Sequence, residues 1–141
     1  MKQQKTIERL VEIKQRTADA AEAEHTLARA AVTLAGEAYD LADSAHAAAL
    51  EANELVTTAA DLEDRDRHIR ARRRAAEVAA RVLAAAEARE LEARRAVTEA
   101  RTELRRFETW LEREGVRQAT EARRIERIAD DEVAARKANV A

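Results

Sequence analysis

Three histidines and a run of arginines are the residues whose types and spacing suggest chemistry. Glu22-Ala23-Glu24-His25 contains a Glu-x-x-His, and Asp43-Ser44-Ala45-His46 an Asp-x-x-His. Carboxylate-bridged metal centres in helical bundles are assembled from such half-sites, brought into one layer on facing helices. Here 21 residues separate His25 from His46, about 30 Å along a helix at ~1.5 Å per residue, so one layer cannot hold both. No metal and no cofactor is expected. The arginines at 65, 67, 70, 72, 73 and 74 have the charge to hold phosphate, but Asp61, Glu63, Asp64 and Asp66 interleave with them and no aromatic is present for base stacking. Nucleic acid is therefore not an expected partner. No nucleophile–base pair, glycine-rich loop or converging carboxylate dyad occurs, and the chain reads as a non-enzyme with no catalytic residues.

The elements that position these residues are helical. The chain has 141 residues with no proline, two glycines, no cysteine and 38% charged side chains. Almost nothing interrupts a helix, no disulfide or thiolate site is available, and the residue usage is that of a long coiled coil. No segment is apolar enough to span a membrane, which predicts a cytoplasmic protein. Net charge is −2, yet residues 1–68 carry 8 basic and 14 acidic side chains and residues 69–141 carry 18 and 14. An acidic first half and a basic second half suit two segments folded against each other, with the asymmetry setting orientation more than stability.

Apolar periodicity gives the arrangement. Steps of seven from Ile13 reach Ala20, Leu27, Leu34, Leu41, Ala48, Leu55, Leu62 and Ile69, then Ala76, Leu83, Glu90, Val97, Leu104, Leu111, Gln118 and Ile125. Such a repeat keeps one seam of a helix facing a partner. An alanine stripe precedes the seam in the first half (Ala31, Ala38, Ala45, Ala52, Ala59) and follows it in the second (Ala79, Ala86, Ala93, Ala100). A seam that mirrors itself at mid-chain predicts an all-α fold, one long antiparallel two-helix coiled-coil hairpin with an alanine-rich, close-packed seam. Facing residue numbers then add to 138, placing Leu34 by Leu104, Ala31 by Phe107, Leu10 by Ile128 and Ile13 by Ile125. The expected single domain has arm one at about 6–66, capped at Thr6, a turn at about 67–71, and arm two at about 72–137. An antiparallel dimer of continuous helices obeys the same pairing rule; the monomeric hairpin is the preferred reading. Trp110 fits either the seam edge or an external contact.

Two terminal patches carry a resemblance. Leu10-Val-Glu-Ile-Lys-Gln-Arg-Thr-Ala-Asp19 resembles the first heptads of the stalk proteins of bacterial type III export systems, the family of flagellar FliJ and injectisome YscO. Arg124 followed by Asp131-Glu132-Val-Ala134-Ala-Arg136 is similar to that family's Asp-Glu-x-Ala-x-Arg ending. Richness in alanine and poverty in glutamine and aromatics point to the injectisome branch. The resemblance implies a central stalk that inserts into a hexameric export ATPase, links it to the export-gate ring, and escorts secretion chaperones, in the cytoplasm and peripheral to the inner-membrane export apparatus. The pore-facing part would be the end carrying both termini, with Arg9, Lys14, Arg16, Arg123, Arg124, Arg127, Asp131, Glu132 and Arg136 as partner-binding residues. Two other readings compete with it, a coiled-coil architectural spacer and an amphipathic helical protein that binds lipid.

Overall fold

Abundant alanine and absent proline let helix run through nearly the whole chain. The computed structural model describes residues 2–52 and 56–140, and it holds two helices, α1 (Lys2–Glu51) and α2 (Ala59–Val140), with no strand among the described residues. The helices pack against each other within one chain, so the fold is an all-α helical hairpin. Threonines inside the helices avoid competing with the backbone by donating their hydroxyls to the carbonyl four residues back. Thr17 and Thr109 do so at 3.0 and 2.8 Å. Thr6 does the same to Lys2 at 2.9 Å, so it lies inside α1 and does not cap it.

The hairpin turns earlier than the periodicity predicts. Residues 67–71 are helical, and the interruption falls between Glu51 and Ala59. Leu55, counted in the expected seam, lies outside the described residues. The cause is local. Val56, Thr57 and Thr58 form a β-branched run that resists helix, and Thr58 opens α2 with a capping box. The Asp61 amide donates to the Thr58 hydroxyl at 3.1 Å. In return the Asp61 carboxylate accepts the amides of Thr57 and Thr58 at 3.3 and 3.2 Å and the Thr57 hydroxyl at 2.9 Å. Hydrogen bonds from Thr57 and Thr58 hold the Asp61 carboxyl below its usual pKa. Thr58→Ala should cost about 1 kcal/mol, measured by urea unfolding, because the Asp61 amide loses its acceptor.

Ala20–Thr98 forms one compact unit, and the residues up to Asp19 with those from Glu99 onwards form a second. In the first of these the α1 stripe that meets α2 is Ala21, His25, Ala28, Val32, Ala35, Tyr39, Ala42, His46 and Ala49, all buried or half-buried. On α2 the seam is the expected one, with Ala76, Ala86 and Val97 buried and Leu83, Glu90 and Ala93 half-buried. The α1 seam therefore lies one residue beyond the predicted stripe throughout, about 100° around the helix. Leu27, Leu34 and Leu41 are turned outwards and are 67%, 67% and 74% exposed.

A half-buried carboxylate explains this phase. Glu90 occupies a seam position, and its side chain is only 15% exposed. Under the 138 rule it would face Ala48, which offers no hydrogen bond. In the structure His25 Nε2 donates to Glu90 Oε1 at 2.9 Å, while Arg94 Nη2 reaches both carboxylate oxygens at 2.8 and 3.0 Å. A carboxylate held in the seam needs such partners, and this phase and register provide one from α1. The numbers of His25 and Glu90 add to 115.

The hydrogen bond from His25, followed by that from Arg94, lowers the Glu90 pKa below its ordinary 4.5. A depressed carboxyl contributes stability above its unfolded-state pKa and loses it as pH falls through the folded value. Glu90→Gln should accordingly lower the melting temperature at neutral pH. The gap between variant and parent should then narrow as pH falls below the ordinary 4.5 and through the lowered folded value. Thermal melts followed by circular dichroism across that range are the check, and a gap that stays constant with pH would contradict the pairing.

Candidate partner-docking helix

The second unit pairs the start of α1 with a longer stretch of α2. Ile7 and Ala18 are 1% and 2% exposed, and Val11 and Lys14 complete the same stripe. Lys14 Nζ lies 3.1 Å from Glu103 Oε2 and 5.4 Å from the centre of the Phe107 ring. The ammonium lies between a carboxylate and a π-face of α2, so half-buried Lys14 contributes to the pairing of the two helices. Phe107 faces Lys14 and packs tilted against Trp110, with ring centres 5.8 Å apart. The expected pairing of Phe107 with Ala31 does not form, because the earlier turn shortens the pairing rule. Lys14 and Glu103 add to 117, close to the value in the other unit. Trp110 is 45% exposed, an aromatic edge beside the seam.

The last buried residue of the α2 seam is Glu114, which is 6% exposed and accepts a hydrogen bond from Arg117 Nη2 at 2.6 Å, and Gln118 is the last half-buried one. Every described residue from Ala119 to Val140 is exposed. Ile125 and Ile128 are 57% and 47% exposed, and Ile13 is 54% exposed, so these residues do not close a seam as the 138 rule requires. Extended along α1, the register of the Lys14–Glu103 pair brings Lys2 level with Gly115, and the described residues of α2 beyond Gln118 are all exposed.

This exposed stretch gathers six of the nine residues assigned to partner binding, namely Arg123, Arg124, Arg127, Asp131, Glu132 and Arg136. Arg9 and Arg16 are also exposed but sit on the paired part of α1, and Lys14 belongs to the seam. They do not join the others in one cluster. Along the stretch the helix is supported by its own side chains. Arg124 makes a two-pronged contact with Glu121, Nη2 to Oε1 at 2.8 Å and Nε to Oε2 at 3.2 Å. The hydrogen bond and the charge together lower the Glu121 pKa and raise that of Arg124. Two features were not anticipated from sequence, the unpaired end of α2 and the His25–Glu90 bridge. The Thr58-x-x-Asp61 cap was the available signal for both, because it fixes the turn and hence the register.

A helical hairpin whose longer helix continues unpaired is the class of protein that the fold defines. No protein-family model matches the chain, and no curated protein or solved structure matches it. No described helix is long and apolar enough to cross a membrane.

Proposed function

We propose that this chain is a non-enzymatic central-stalk component of a type III secretion system, of the injectisome branch. The unpaired end of α2 inserts into a hexameric export ATPase, and the hairpin links that ring to the export-gate ring, with escort of secretion chaperones as a second activity. The observation that carries the reading is the exposed stretch Ala119–Val140, rich in arginine and continuous with a packed hairpin. The Asp131-Glu132 to Arg136 ending that resembles the stalk family lies on this stretch. A shaft that shifts inside a ring needs contacts that exchange readily. Arginines and carboxylates at a solvated surface supply them, whereas a large apolar patch would lock the shaft. Ile125 and Ile128 add a small apolar anchor.

The test is direct. The purified chain should co-sediment with a purified hexameric export ATPase and raise its turnover. No binding by the parent chain would end the stalk reading and leave the architectural spacer, which the outward leucines of α1 favour.

A further inference from the structure

We propose that a second copy of this chain packs on the outward leucine face of α1, so that the Ala20–Thr98 units of two chains form a four-helix bundle. Helix α1 carries two apolar stripes of period seven. One meets α2, and the other, Ala20, Leu27, Leu34, Leu41 and Ala48, is open to solvent. A helix bound on one side only needs one stripe, since the usual remainder is polar. Ala20 and Leu27 of the open stripe border a groove between the two helices, whose α2 wall includes Val82, Ala85 and Ala96 and whose floor is alanine. Val82 on that wall is 54% exposed, and Val78, one helical turn before it, is 52% exposed.

The occupant follows from the face being its own complement. An isologous contact needs knobs and hollows, and acid and base, on one surface. Here the acidic helix supplies the leucine knobs and the basic helix supplies the hollows. Residues 20–51 of α1 hold six acidic side chains and one arginine, while residues 69–98 of α2 hold eight basic and four acidic. A two-fold axis parallel to the hairpin lays α1 of each copy over α2 of the other and keeps the 115 pairing. Leu34 then comes level with Val78 and Val82 of the second copy. At the rim, Glu37 comes level with Arg74 and Arg81 of the second copy. The area also suffices. A face two helices wide, ~20 Å, and 29 residues long from Ala20 to Ala48, ~43 Å, covers about 860 Å² per copy. Stable interfaces bury about 800 Å² per partner.

Sedimentation equilibrium at micromolar concentration decides it. The parent should run at about twice 15.7 kDa. Leu34→Glu with Leu41→Glu should weaken dimerisation by about a hundredfold or more, with helicity unchanged, because neither side chain is buried in one copy. Leu91→Glu, on the other flank of α2, should leave the dimer intact. Glu37→Arg should weaken the dimer, and adding Arg74→Glu and Arg81→Glu should restore it. A parent that stays monomeric at high micromolar concentration overturns the proposal. So does dissociation by the Leu91 variant alone, and so does a monomeric parent that sediments with lipid vesicles, which would make the face a lipid-binding surface.

Discussion

Ala35→Leu should destabilise the hairpin by about 1–3 kcal/mol, whereas Leu34→Ala, one residue away, should change stability by less than about 0.5 kcal/mol. Ala35 is 8% exposed and lies in the seam with α2, where added methylenes must push two helices apart or leave their rotamers. Leu34 is 67% exposed, so its truncation leaves no cavity in a single chain. The pair discriminates sharply, because the heptad count assigns the opposite roles, with Leu34 in the core. Urea unfolding at concentrations low enough to keep the chain monomeric is the measurement. In concentrated solution Leu34→Ala should instead weaken self-association, which separates its two effects. A larger loss from Leu34→Ala than from Ala35→Leu, in dilute solution, would return the seam to the leucine stripe.

Composition and period sufficed for the fold class, the antiparallel sense and the α2 seam from Ile69 to Gln118. They failed on α1 for a physical reason. Two stripes there repeat every seven residues, and the more hydrophobic one is the one left outside. Hydrophobicity ranks Leu27, Leu34 and Leu41 above Ala28, Ala35 and Ala42, yet the small residues are the ones that let two backbones approach. Polar seam residues carried the deciding information. Glu90 and Lys14 are costly to bury without partners, and requiring that Glu90 meet His25 and Lys14 meet Glu103 fixes phase and register together. The turn was legible too, in Thr58-x-x-Asp61 after a β-branched run, but charge density and the mirror of the stripes point to residues 67–71. Placing the turn about a dozen residues late paired the end of α2 with α1. The mirror rule thereby makes the candidate site a two-helix end, whereas the structure shows a single exposed helix.

The exposed end of α2 gives the second large effect. Removing residues 119–140 deletes no buried side chain, so the shortened chain should melt with the parent and keep its helical seam. It should nonetheless lose binding to the hexameric export ATPase altogether. Charge reversal tests the same surface without shortening it. Arg124→Glu with Arg127→Glu removes two cations and breaks the Glu121–Arg124 pair, a local contact of an exposed surface. Binding should fall by about tenfold or more, because reversed charges meet like charges on the partner, while melting stays unchanged. Raising the salt concentration should weaken the parent complex in the same direction, since contacts between exposed charges are screened. Arg72→Glu with Arg73→Glu is the matched control, equal in charge and located in the other unit. That variant should bind as the parent does. Loss of binding by the control alone would move the docking surface to the Ala20–Thr98 unit. Retained binding by the truncated chain would show that α2 beyond Gln118 is not what the ring holds.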